Sequence, residues 1–253
     1  MMAFSLRRFT PLLSLVAALA IWQLTMLVTS NPIFPSPLQV VKGLVELVTG
    51  GVLHKYIVAS LFRVMTGFLL AVVIGVPIGI WMGANTGAGR NLNPLIQVLR
   101  PISPIAWIPL AILWFGVSDL APIFLIFISC VFPLMTASAA AVHNIPKTYF
   151  LVAKSFDVRG WEYYSKVIFP AILPQLLTSI RVSLGVGWLV VVAAEMIAVN
   201  SGLGYLIIDA RNAGMRYDLV VAGMIVIGAV GLMMDYAVRR IEKLDSLRWG
   251  FSE

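Results

Sequence analysis

FRVMTGFLLAVVIGVPIGIWM, residues Phe62–Met82, carries a single charge, Arg63, and is otherwise built of apolar and small residues. About 30 Å of hydrocarbon crossed at 1.5 Å per residue requires roughly 20 such residues, so the stretch reads as a membrane-spanning helix. Within and just beyond it, Gly67, Ala71, Gly75, Gly79 and Gly83 recur at every fourth position and share one helical face. Lipid tails are as apolar as leucine, so helices associate in membranes by packing, and a face of small residues lets another backbone come close. Packing inside the chain is the expected use of this face, and a seam between subunits is the sharper alternative.

Five further stretches read the same way: Leu12–Thr29, Val98–Phe115, Ala121–Val142, Pro174–Ala198 and Leu219–Val238. The bulk composition agrees, with 60% hydrophobic and 11% charged residues among 253 and a mean hydropathy of +0.96. Soluble domains average ~45–50% apolar and ~25% charged, so this chain has too few charges to cover its apolar surface in water. The expectation is an all-α integral membrane protein with about six spans, forming a single transmembrane domain over residues 1–253. Arg7 and Arg8 precede the first stretch, but no small-residue cleavage site follows at Thr29-Ser30-Asn31-Pro32, so a retained helix is expected rather than a signal peptide.

The net charge of +7 could suggest nucleic acid, but its placement is topological. With the N-terminus inside, the cytoplasmic segments hold Arg7, Arg8, Arg90, Arg100, Lys147, Lys154, Arg159, Lys166, Arg239, Arg240, Lys243 and Arg248. Lys42, Lys55, Arg63, Arg211 and Arg216 fall outside or near the outer ends, and this bias places both termini in the cytoplasm. Nucleic acid is therefore not expected as a partner; the lipid bilayer is.

Arg63, Arg181 and Glu195 fall within apolar stretches. Charges there cost several kcal/mol unless they meet a partner or a pathway. Fourteen residues, ~21 Å of helix, separate Arg181 from Glu195, whereas Glu195 and Arg63 both belong toward the outer side and are expected to pair. A structural ion pair and a gating role remain equally open. Pro101, Pro104 and Pro109 crowd the third stretch, RPISPIAWIPLAILWF, each removing a helix hydrogen bond. Irregular backbone at membrane depth is tolerated where protein or a wet cavity satisfies it. A broken helix beside a transport path is expected, with Ser103, Pro104, Trp107 and Trp114, together with Trp188, as candidate path lining. Outside the spans, Leu38–Val48 has helical apolar spacing and reads as an outer interfacial helix. Residues 31–37 are too rich in proline for helix, and the loop Asn200–Asp218 could hold a short helix. The lone Cys130 reads as a packed thiol. His54 and His143 are isolated, so no metal site is expected.

The segment from His143 to Pro174 is long for a connector and mixes charges with Tyr149, Phe150, Phe156, Trp161, Tyr163 and Tyr164. Exposed aromatics amid charge are the mark of a docking surface. Here the chain resembles the permease subunits of bacterial ATP-binding-cassette importers. Their cytoplasmic signature reads Glu-Ala-Ala, three residues, Gly, nine residues, Ile, one residue, Leu-Pro. The frame falls on Leu151-Val152-Ala153, Asp157, Val167 and Phe169-Pro170, so Ala153 and Pro170 fit while Leu151 and Asp157 replace the Glu and the Gly. SLFRVMTGFLLAVVIGVPIGIWMG (Ser60–Gly83), LRPISPIAWIPLAILWFG (Leu99–Gly116) and LGVGWLVVVAAEMIAVNSGLGYLI (Leu184–Ile207) look like the branch handling nitrate, sulfonates, taurine and bicarbonate.

The resemblance covers residues 35–240 and implies a type I importer fold with a cytoplasmic coupling helix between the fourth and fifth spans, in the loop 146–170. Val152, Ala153, Ser155, Phe156, Asp157, Val158, Arg159 and Trp161 would seat in a cleft of the ATPase. It further implies two permease copies (a homodimer is expected), two cytoplasmic ATP-binding subunits, and a periplasmic or lipid-tethered solute-binding protein at a bacterial inner membrane. No G-x-x-x-x-G-K-[ST] phosphate loop occurs in the sequence. The chain is therefore expected to be no enzyme and to hold no cofactor, with ATP and Mg on the partner subunits. The rival reading is a secondary transporter or channel acting alone; such proteins commonly carry inverted repeats, and no convincing repeat is visible here.

Overall fold

The computed structural model describes residues 13, 16–26 and 33–242. Arg7, Arg8, Lys243, Arg248 and the two ends of the first expected span lie outside them. The described residues form helices and no strand: α1 (Val16–Met26), then α2 (Pro37–Thr49), α3 (Val52–Ala84), α4 (Thr86–Leu99), a 3-10 turn (Pro104–Trp107), α5 (Ile108–Phe115), α6 (Leu120–His143), α7 (Lys147–Ser155), a π-helical turn (Tyr163–Ile168), α8 (Phe169–Ala198), α9 (Leu203–Gly214) and α10 (Tyr217–Glu242).

Among the described residues, four helices are long and apolar enough to cross a bilayer: Val52–Ala84, Leu120–His143, Tyr163–Ala198 and Tyr217–Arg240. A bent pair, Thr86–Leu99 with Pro104–Phe115, would make a fifth, its halves meeting at 82°. This corrects the single span expected at Val98–Phe115. Asn85 caps α4 by accepting hydrogen bonds from Gly87 and Ala88, so helix begins well before Val98. It ends at Leu99; Arg100 keeps α-region dihedrals, and the chain leaves the α region at Ser103, φ −56 and ψ 129, ahead of Pro104. The Val52–Ala84 and Tyr163–Ala198 spans likewise start earlier than their apolar runs suggest. Within the latter, Pro170 falls at the start of α8, just after the π-helical turn Tyr163–Ile168.

α3 and α6 run parallel along the ladder of small residues. A Cβ at Gly67 would lie 2.7 Å from the Ile123 carbonyl oxygen, and one at Gly83 would lie 2.7 Å from Val142 Cβ. Gly75 and Gly79 meet Val131, Leu134, Met135 and Ser138 between them. The small-residue face is thus an internal seam. α8 runs antiparallel to α6 across it, with Gly187 on Ile126 and Cys130 and the Cys130 thiol donating to the Ser183 carbonyl at 3.2 Å. α10 closes on α8, where Trp188 Nε1 donates to the Ile227 carbonyl at 3.2 Å and Arg181 pairs with Asp235 at 2.6 Å.

α2 lies where an outer interfacial helix was expected. Ser36 and Gln39 form a reciprocal cap at its start, and Val40, Gly43 and Leu47 make its buried stripe. Arg216, at the turn into α10, binds Glu46 of α2 at 2.6 Å and Asp218 at 2.8 Å. The Asp218 and Glu46 carboxylates raise the pKa of its guanidinium further above the usual value. Val58, Leu69, Val73, Leu189, Leu232 and Met233 are exposed, as lipid-facing residues would be.

Candidate functional site

Three features carry the residues singled out from sequence. At the end of the bundle where α6 stops, α7 begins behind Pro146 and ends in a Schellman closure. The Val158 N–H bonds the Ala153 carbonyl at 3.0 Å and the Asp157 N–H bonds the Lys154 carbonyl at 3.1 Å. That closure needs a left-handed residue just past the helix, and Asp157 takes it, at φ 51. The family frame places glycine at this position, so a backbone demand accounts for the correspondence. Gly160, at φ 60, turns the chain again.

The back of α7 is fixed by the buried Ala153 and by Phe150, whose ring meets Tyr163 at 6.3 Å. Phe156 and Trp161 stand 79% and 81% exposed. Val152, Ser155, Asp157 and Arg159 are also exposed, while Val158 is half-buried. Asp157 and Arg159 pair at 2.6 Å in solvent. Ser155 is spent locally, donating to the Leu151 carbonyl at 3.0 Å. Beside this surface lies a largely apolar groove of about 510 Å³, lined by Tyr149, Val152, Phe156, Val158 and Pro170 among others.

At the opposite end, Arg63 and Glu195 are joined at 2.7 Å and both are buried. Arg63 also donates from Nε and Nη2 to Asp119 Oδ1, at 2.9 and 2.7 Å, and from Nη1 to the Ser201 carbonyl at 2.7 Å. Glu195 accepts from the Ser60 hydroxyl at 2.8 Å and from the Gly204 N–H at 3.0 Å. The Ser60 oxygen in turn accepts from the Leu203 N–H at 2.9 Å. Gly202, at φ 102, packs against the carboxylate with no room for a Cβ, and Gly204 packs equally tightly on the Val192 carbonyl. The cluster welds α3, α8, the α5–α6 turn and the start of α9 together. Arg181 is brought to Asp235 and not to Glu195.

The candidate path residues separate into two places. Ser103 is exposed in the break, and Pro104 opens the 3-10 turn. Trp107 sets its edge to Phe124 at 6.5 Å, and Trp114 meets the same ring at 5.6 Å. Trp107 Nε1 is buried and meets no hydrogen-bond partner among the described residues. Trp188 is buried at the α8–α10 seam, apart from the other four.

Asp119, Ser201 and Asp235 were not anticipated. Asp235 carried a legible signal, being a lone acid in the run GLMMDYAV; Asp119 sits in an ordinary-looking turn, and only the fold brings it to Arg63. Among the described residues, no group of three or more His, Cys, Asp and Glu side chains is placed to hold a metal.

Residues 75–244 match the family described as binding-protein-dependent transport system inner membrane component. The chain is 35% identical to the nitrate import permease protein NrtB of Leptolyngbya laminosa, over 92% of this chain and 86% of that one. It is 39% identical to the bicarbonate transport system permease protein CmpB of Synechococcus elongatus, over 74% and 67%. With the taurine transport system permease protein TauC of Escherichia coli it shares 32% identity over 88% and 82%. Among solved structures, the MetNI methionine ABC transporter in an inward-facing conformation matches with a TM-score of 0.66 at 18% identity, covering 76% of this chain and 95% of that one.

Proposed function

Because the chain belongs to the family of binding-protein-dependent transport system inner membrane components, as an ABC importer permease of the nitrate, sulfonate, taurine and bicarbonate branch, we propose that it forms the membrane path of an ATP-driven importer for a small oxyanion or organic sulfonate. Two copies flank the path. Two cytoplasmic ATP-binding subunits hold ATP and Mg, and a periplasmic or lipid-tethered binding protein delivers the solute. The protein sits in a bacterial inner membrane as one domain over residues 1–253, with six spans and both termini cytoplasmic. α1 belongs to the first span, and the bent α4–α5 pair forms the third.

The observation that supports this reading best is the surface made by α7 and its cap. Phe156 and Trp161 are almost fully exposed on the cap and turn that follow α7, a helix fixed from behind by Phe150 and Tyr163. Such an arrangement costs apolar exposure unless a partner covers it. Val152, Ala153, Ser155, Phe156, Asp157, Val158, Arg159 and Trp161 thus form the ATPase contact. Nucleotide binding and hydrolysis on the partner favour different conformations of that contact, and the difference shifts the permease between inward-open and outward-open states.

The test is purification of the tagged chain from its host in mild detergent, with identification of what accompanies it. A stoichiometric ATPase subunit is expected with the unaltered chain, and Phe156→Glu or Trp161→Glu should reduce its recovery at least roughly tenfold, as loss of a central aromatic anchor does. A solitary chain that moves solute into liposomes without ATP would overturn the importer reading.

A further inference from the structure

The geometry points to an anion site in the cavity between α4 and α6, with Arg100 as its cation; this assignment rests on the importer reading above. The cavity has a volume of about 540 Å³ and is lined by Asn93, Gln97, Arg100, Pro101 and Thr136. Arg90, Asn93, Gln97 and Arg100 are spaced three and four residues apart, so they share one face of α4 within about 80° of arc. Ile96, on another face, is buried. These four residues thus form one continuous wall.

The charge balance of this wall is one-sided. No carboxylate lines the cavity. Arg63, Arg181, Arg216 and Arg239 are each paired with acids, whereas Arg100 forms no ion pair and no side-chain hydrogen bond with any described residue. Asn93 and Gln97 likewise leave their amides free of described partners. Thr136 spends its hydroxyl proton on the Pro133 carbonyl at 2.9 Å, so the free donors are the two amides and the guanidinium.

Depth decides between an anchor and a site. Charge placement alone reads Arg100 as a cytoplasmic topological signal, but it shares its cavity with Thr136. That residue lies seven positions before the end of α6 at His143, ~10 Å along the helix. A cation drawn inside the end of a spanning helix needs water or an anion. A guanidinium fork with amide donors beside it matches nitrate, bicarbonate or a sulfonate, each presenting several acceptor oxygens in a fixed geometry. The cavity's open shape suits a passing ion, because a path must bind weakly enough to release.

The experiment uses the whole transporter, permease with its ATPase subunits and binding protein, in proteoliposomes. ATP-dependent uptake is measured with labelled nitrate, bicarbonate and taurine as probes. The unaltered transporter is expected to import at least one of them. For that probe, Arg100→Gln and Gln97→Glu should each slow uptake by roughly tenfold or more, while Arg100→Lys retains most of the rate, an ordering set by charge. Gln97 is exposed, so Gln97→Glu decides the matter if Arg100→Gln fails to assemble. Uptake at the unaltered rate in Gln97→Glu, or in an assembled Arg100→Gln, overturns the site and leaves the importer reading standing. A complete transporter that hydrolyses ATP yet imports none of the three probes overturns the anion assignment together with the proposed substrate class.

Discussion

At Gly202 the backbone turns through φ 102 directly against the Glu195 carboxylate. Gly202→Ala therefore adds a methyl group where the carboxylate already stands, on top of the strain of a left-handed conformation. It should lower stability by about 3 kcal/mol or more, read as a large fall in melting temperature in detergent. Gly116→Ala is the control: its φ is 69 but nothing lies within 4 Å of the added Cβ, so only the backbone strain of ~1–3 kcal/mol applies. Beside them, removing Glu195 leaves Arg63 buried with only part of its compensation. Glu195→Gln and Arg63→Gln should each cost ~3–5 kcal/mol, and the double variant should cost less than the sum by ~1–3 kcal/mol. Simple additivity in the same melts would show that the two residues act separately. The pair itself was legible in the sequence, because lone charges in apolar runs demand partners and both fall near the same end of their spans. Asp119, with its side chain 57% exposed, gave no such signal.

Among the elements, α7 was legible as a docking segment and its closure was not. Asp157 looked like a departure from the family frame, since aspartate is not glycine. The structure shows a left-handed turn that either residue can take, aspartate at modest cost. Asp157→Gly should accordingly preserve transport and raise thermal stability by about 0.5–1 kcal/mol, whereas Asp157→Val should lower both. The Arg159 pair lost in either variant is solvent-exposed on both sides and contributes little. If Asp157→Gly abolished transport, the carboxylate itself would be the functional group and the backbone account would fail. The α4–α5 break shows the opposite balance. Its prolines announced an interruption, but the helix before it was hidden, because Thr86–Leu99 is polar along one face and never forms an apolar run. The same polar face carries the anion site, so the property that concealed the helix is the one its function would use.

For the molecule as a whole, α3 and α6 run in one direction and α8 returns against them, which gathers the α2, Arg63 and α9 regions at one end of the bundle and α7 at the other. Cysteine substitution checks this directly, against a background in which the native Cys130 is buried. Met215→Cys, at a position 75% exposed, should react with an impermeant thiol reagent added outside intact cells. Phe156→Cys should react only after the membrane is opened; labelling in the reverse order would invert the proposed topology. The long apolar helices were legible in the sequence, while the seams between them depend on which faces meet, and periodicity alone could not choose. The α3–α6 seam also has a consequence for biogenesis. Its two faces are parallel neighbours, yet about sixty residues of chain, including the bent pair, are synthesised between Gly67 and Ile126. The glycine face of α3 must enter the membrane unpartnered and wait there until α6 follows. Insertion and assembly of this protein are therefore separate events, and a nascent chain halted before Leu120 would hold a correctly inserted helix with its principal partner still to come.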